Sequence, residues 1–300
     1  MSGLSSSTQA RHARDENLSR SDTRARPVNT GVQRLALGVS YRGQAYHGWQ
    51  SQPDGQTVQD RLEAALSAFA AQPVATVCAG RTDAGVHGLN QVVHLDTAID
   101  RDMFSWVRGT NAFLPVDIAV QWCRPVTPAF HARNSARGRR YRFIVLDSPV
   151  RPALEHGLAG WVFRALDGQA MRTAAATLIG EHDFSSFRAA SCQSPTPVKT
   201  LRALDIARRG AYWRFDFDAN AFLQHMVRNI MGSLLAVGTG RQAPQWMSEV
   251  LAARSREAAA PTFPADGLYF LGPYYDSVHG IPDQVPAIDW LLGRLRVRQQ

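Results

Sequence analysis

The apolar residues of this 300-residue chain change period again and again, from two to about 3.6 and back, in both halves. Leu35, Leu37 and Val39 alternate as a strand does. Thr57, followed three residues later by Asp60, then opens an amphipathic helix with Leu62, Ala65, Leu66 and Phe69 on its buried face. The strand pattern returns over residues 74–79, 91–95, 118–122 and 140–146, with a helix expected over 101–111. In the second half, residues 169–179, 222–237 and 244–253 read as helices. Residues 201–207 and 212–218 form a hairpin around Arg208-Arg209-Gly210, and 268–271 a short buried strand. Helices mixed with hairpins in each half predict an α+β fold of two similar sheet-and-helix units, not a doubly wound parallel sheet. The expected divisions are a tail over 1–31, one unit over 32–150, a second over 151–276 and an extension over 277–300. No residue-level repeat links the halves. The tail is rich in Ser, Arg and Asp and almost free of large apolar side chains, so it is expected to be disordered.

Charge narrows the partner. The formal net charge is +8, which favours a polyanion, nucleic acid ahead of membrane. Lys199 is the single lysine among 33 basic residues, a skew toward arginine that a biased genome would also produce. Cys78, Cys123 and Cys192 are odd in number, widely spaced and without a CxxC pair, against a disulfide framework or a zinc site. No run approaches the roughly 20 apolar residues of a membrane span, and the N-terminus lacks a secretory core. The expectation is a cytoplasmic protein.

Three clusters can carry chemistry. The first is Gly80-Arg81-Thr82-Asp83-Ala84-Gly85-Val86-His87-Gly88, a glycine-punctuated loop at a strand end. No Gly-Lys-Ser/Thr follows, so it is not a P-loop, and its glycines miss the dinucleotide fingerprint. A loop aspartate beside arginine is commonly an Asx-turn or a surface ion pair; its catalytic alternative needs the rest of the site. Asp83, His87, His94 and Asp96 lack the tight spacing of metal ligands, so no metal is expected. His94 alternates with Val93 and Leu95 and reads as structural or solvent-facing. The second cluster is Arg133, Arg137, Arg139, Arg140 and Arg142 around Tyr141, without an acid. It is either a solvated edge or a surface that stacks bases and neutralises phosphates. The third is His225-Met226-Val227-Arg228-Asn229 in the apolar helix. Arg228 there either points outward or faces inward and needs a buried carboxylate, for which Asp83 is a candidate.

Together these strings resemble the TruA family of tRNA pseudouridine synthases. The resemblance rests on Gly80 to His87, Gln91-Val92-Val93-His94, Gly48-Trp49-Gln50, Phe130-His131-Ala132-Arg133, Arg140-Tyr141-Arg142 and Asp183-Phe184-Ser185-Ser186-Phe187-Arg188. Ala219-Asn220-Ala221-Phe222, His225 to Asn229 and Gly267-Leu268-Tyr269 complete it, in the family's order over roughly residues 33–275. Arg42, where the family often has aspartate, and Leu89-Asn90, where it has smaller residues, depart from the pattern beside the motifs.

The resemblance implies two units sharing a central, mainly antiparallel sheet, with an active-site cleft between them. It implies a homodimer whose tRNA substrate is isomerised from uridine to pseudouridine at positions 38, 39 and 40 of the anticodon stem-loop. By the same resemblance Asp83 is the nucleophile, Arg228 pairs with it, and Arg81 holds the flipped nucleotide or fills its gap. Tyr141 stacks on the target base, and Leu268 packs on the other side of the uracil. Elementary chemistry agrees: breaking a C–N glycosidic bond and rejoining the base through carbon needs no oxidation, no phosphate chemistry and no cofactor, and one carboxylate can serve. Two other readings share the residues: an RNA-binding protein without activity, and a nucleoside-cleaving hydrolase.

Overall fold

A computed structural model describes residues 31–283, so the expectations for residues 1–30 and 284–300 lie outside the described residues. In chain order the strands are β1 (Gln33–Tyr41), β2 (Val77–Cys78), β3 (His87–Thr97), β4 (Ile118–Val126), β5 (Ala136–Asp147) and β6 (Gly160–Val162). They continue with β7 (Gly180–Asp183), β8 (Val198–Arg209), β9 (Tyr212–Ala219) and β10 (Leu268–Tyr275). The α-helices are α1 (Val58–Ala70), α2 (Met103–Asn111), α3 (Gly168–Ala176), α4 (Met226–Gly238) and α5 (Trp246–Ala253).

All the strands join one sheet in the order β4-β1-β3-β10-β5-β9-β8-β7, with β2 beside β3 and β6 beside β5. Pairing is antiparallel except for β10 on β3 and β6 on β5. The α+β class and the mainly antiparallel sheet therefore stand. β10, from the end of the described chain, lies between β3 from the first half and β5, which continues into the β9–β8–β7 set. This central strand places the loop before β3 close to the helix that follows β9.

Local chemistry explains the elements. Thr57 accepts from the Asp60 amide to cap α1, and Ala71 closes the helix in the left-handed conformation. Gly210, at φ 61°, turns the β8–β9 hairpin. Leu35, Leu37, Val39 and Tyr41 of β1 pack with Val58, Leu62 and Leu66 of α1 and with Trp106 of α2 in one core. Phe143, Val145, Phe215 and Phe217 pack with Met171 of α3 and with Met226, Ile230 and Leu234 of α4 in another.

The structure corrects several boundaries. The strand expected over 74–79 shrinks to Val77–Cys78, because the chain leaves the sheet at once to build the loop of residues 79–86. The helix expected from residue 222 begins at Met226, since His225 has φ 62° and ψ 1° and cannot continue it. β10 runs four residues beyond its expected end, to Tyr275. β6 and β7, of three and four residues, were too short to announce themselves by period. Of the two readings of His94 the structural one is realised: it is buried and accepts a hydrogen bond from the Ala132 amide.

Candidate active site

The loop from Ala79 to Val86 is held at every turn. The Gln91 side chain donates to the Gly80 carbonyl at 2.5 Å and accepts from its amide at 3.4 Å, as a neighbouring strand would. The Trp49 amide donates to Thr82 O at 3.0 Å, and the Tyr41 hydroxyl meets Thr82 Oγ1 at 2.9 Å. The Trp49 contact requires a glycine before it: a Cβ on Gly48, whose φ is +92°, would stand 2.7 Å from Thr82 O. The Val86 amide closes the turn onto Asp83 O at 3.2 Å. His87 then anchors the loop's end. Its Nδ1 accepts from the Gly43 amide at 3.2 Å, so Nε2 carries the proton that it donates to Gly157 O at 2.7 Å. Burial lowers the pKa of this imidazole and keeps it neutral.

Asp83 emerges from this rigid loop with its side chain 25% exposed. Arg228, in the first turn of α4, reaches it across the molecule. Arg228 Nε donates to Phe263 O at 2.9 Å, and Nη1 lies 3.2 Å from Asp83 Oδ2. The guanidinium is 18% exposed, so the pair is partly desolvated and open on one side. Of the alternatives for Arg228, the inward one is realised, with Asp83 as its partner. His225 Nε2 stands 3.5 Å from the same Oδ2. Its left-handed backbone costs a non-glycine residue on the order of 1 kcal/mol.

Tyr141 projects from β5 between two rings, Phe222 at 5.0 Å edge-on and Phe270 at 4.9 Å tilted. Burial first, then the charges of Tyr41 and Asp83, push its phenol above the ordinary range, so it stays protonated. The Phe270 ring also reaches the loop, 3.7 Å from where a Cβ on Gly80 would sit. Leu268 lies in the core beside this wall, buried with Phe143 as its strand partner. Arg81 is exposed, with no hydrogen bond or ion pair to another of the described residues.

The arginine cluster divides. Arg139 donates to the carbonyls of Ala79, Arg133 and Asn220 at 3.0, 2.8 and 3.1 Å, tying the start of the Asp83 loop to β5 and to the chain after β9. Arg140 pairs with Asp283 and lies over the Tyr274 ring at 5.0 Å. Arg142 is a correction. Its side chain and that of Asp216 are each 6% exposed, joined through Nε at 2.6 Å and Nη2 at 3.0 Å. A guanidinium so enclosed cannot reach a phosphate. Arg137 is exposed and forked onto Asp276, and Arg133 is exposed.

The sequence pattern placed Phe222 at core spacing in the apolar helix and Phe270 in a short buried strand, and gave His225 no role. The signal was present for His225, which stands in the same short string as Arg228, but its unusual backbone depends on the packing around it. The Ala189 amide holds Gln224 O at 3.1 Å, and the Gln224 amide donates to Cys192 Sγ at 3.4 Å, which fixes the chain just before the helix.

A carboxylate with one oxygen held by a guanidinium, an aromatic wall beside it and a half-open mouth can act as a nucleophile toward a planar heterocycle. No group of three or more His, Cys, Asp or Glu among the described residues is arranged to hold a metal ion. The chain is 71% identical to tRNA pseudouridine synthase A of Methylibium petroleiphilum over 258 residues, covering 86% of this chain and 99% of that one. It is 63% identical over 276 residues to the protein of the same name from Paracidovorax citrulli, and 63% over 262 residues to that from Polaromonas naphthalenivorans, each with the same coverage. The sequence pattern of a tRNA pseudouridine synthase family matches residues 38–133 and 174–276, which include Asp83, Arg228 and Phe270. The chain belongs to the tRNA pseudouridine synthase family.

Proposed function

We propose that this member of the family isomerises uridine to pseudouridine in the anticodon stem-loop of tRNA, at positions 38, 39 and 40, with Asp83 as its nucleophile. The observation that carries the proposal is the Asp83–Arg228 pair, formed at the mouth of a site walled by Tyr141, Phe222 and Phe270. The reaction breaks the bond from N1 of uracil to the ribose, turns the base and forms a bond from C5 instead. C5 gives up a proton and N1 gains one, so the product has the mass of the substrate. Arg228 fixes the carboxylate in place where water is partly excluded. Tyr141 offers a ring on which the everted base stacks, and Arg81, free at the loop's surface, offers a cation to the displaced nucleotide or to the gap it leaves. Leu268, expected on the other face of the uracil, is buried and backs this wall from the core instead. Arg133 and Arg137 are the members of the arginine cluster that can reach RNA phosphates.

The family resemblance points to a homodimer, and the sequence points to a cytoplasmic protein built from units over 32–150 and 151–276. Among the described residues no helix is long and apolar enough to cross a membrane. The direct test is to incubate unmodified tRNA with the protein and separate the nucleosides. Mass-neutral loss of uridine with appearance of pseudouridine in the anticodon arm supports the proposal. Free uracil would identify a hydrolase, and bound but unaltered tRNA a binding protein.

A further inference from the structure

Asp83 Oδ2 has two neighbours of basic character: Arg228 Nη1 at 3.2 Å and His225 Nε2 at 3.5 Å. Among the described residues no hydrogen bond or ion pair reaches Oδ1. The two carboxylate oxygens are therefore unequal, one flanked and one free. We propose that His225 is a positioning residue that acts with Arg228 on Oδ2 and thereby turns Oδ1 toward the uridine. The inference rests on the reading of Asp83 as the nucleophile.

Three observations support it. His225 is bound to the catalytic geometry by its place in the chain, three residues before Arg228 and directly ahead of α4. Its backbone is held in the left-handed region, which turns the side chain away from the line the helix would have given it. An unfavourable conformation kept in a fold is a pointer to function when the side chain it places meets a reactive group. Finally, the imidazole gives the helix N-terminus no cap, the usual use of a polar side chain at this position. With the side chain 32% exposed, the ring is not core packing either.

The geometry also says what the ring contributes. Arg228 alone restrains the carboxylate along one direction, leaving rotation about the bond to the carboxyl group. A second nitrogen, His225 Nε2 at 3.5 Å from the same oxygen, limits that freedom. Orientation of a reacting group is an entropic contribution to the rate, so its loss lowers turnover and leaves RNA affinity nearly untouched.

Three substitutions separate positioning from backbone strain. His225→Gly suits the left-handed backbone and removes the ring. His225→Asn tolerates that backbone, but its amide is too short to reach Oδ2. His225→Gln suits the backbone less well, yet places an N–H at the distance of Nε2. A strain role alone ranks turnover as Gly and Asn above Gln. Positioning predicts the reverse: Gly and Asn lose roughly ten- to a hundredfold in kcat with KM for tRNA little changed, and Gln recovers part of the loss. Wild-type kcat in both the Gly and Asn variants, or the order Gly and Asn above Gln, overturns the inference. Asp83→Asn is assayed in parallel. If it stays active, the nucleophile reading itself fails; if it is dead while the Gly and Asn variants of His225 are fully active, only the role of His225 does.

Discussion

Asp83 and Arg228 stand 145 residues apart in the chain and 3.2 Å apart in space. The loop that carries Asp83 precedes β3, and the helix that carries Arg228 follows β9. What brings them together is β10, which pairs with β3 on one side and β5 on the other. The site is thus a product of the sheet's strand order. Each half of the chain supplies one charge, and neither half alone supplies the pair.

The pair sets the first expectation. Arg228 uses Nε on the Phe263 carbonyl and Nη1 on Asp83, a fork that lysine cannot reproduce. Arg228→Lys should lower kcat by about a hundredfold or more and leave tRNA affinity within a few-fold, read from single-turnover rates and equilibrium binding. Wild-type turnover in that variant would remove Arg228 from the mechanism.

The arginine cluster should split by assay. Arg142→Ala leaves the buried Asp216 carboxylate to Arg214 alone, whose Nε lies 3.1 Å from Oδ2, and should destabilise the fold by about 1.5 to 3 kcal/mol in denaturant titrations. Arg133→Ala should leave stability alone, weaken tRNA binding and reduce the slope of log affinity against log salt by about 1. A stable Arg142→Ala protein with weakened RNA binding would reverse the assignment.

Gly48 tests the support beneath the loop. With φ at +92° and Thr82 O 2.7 Å from a Cβ built there, Gly48→Ala should cost on the order of 1–3 kcal/mol and move the Asp83 loop. Melting temperature and kcat should fall together, where a remote destabilising change would lower only the first.

Acid stability should report on His94. Its burial, together with the charges of Arg34 and His131, lowers its pKa from 6.5 to about 4. The unfolded chain then binds a proton that the folded chain refuses, so stability is full above about pH 6.5 and declines as pH falls toward 4. His94→Gln should flatten that part of the stability curve, measured by denaturant unfolding from pH 7 to 4. An unchanged slope would show that other groups dominate.

Much of this was written locally. The α1 start was legible because Thr57 and Asp60 interact within one turn. The Gly80 to His87 string was legible because its glycines and Asp83 are contiguous. The resemblance supplied Arg228 as the partner, and the structure put it in place. Three things were hidden for one physical reason, that their cause is distant in sequence. The arginines of β5 lie in a stretch without an acid, yet Asp216, Asp276 and Asp283 reach Arg142, Arg137 and Arg140 from far along the chain. Residues 222–225 continue an apolar pattern that fits a helix, but contacts from Ala189 and Cys192 fix the chain there before His225 turns left-handed. Phe270 looked like core from its short apolar run, and only the pairing of β10 with β5 sets it against Tyr141.

If the Asp83 carboxylate does the chemistry, replacing one of its oxygens by an amide removes that chemistry with the least disturbance. Asp83→Asn, mixed in excess with unmodified tRNA, should hold the RNA with near wild-type affinity and form no pseudouridine in the anticodon arm over many wild-type half-times. Pseudouridine appearing there at the wild-type rate would contradict the account.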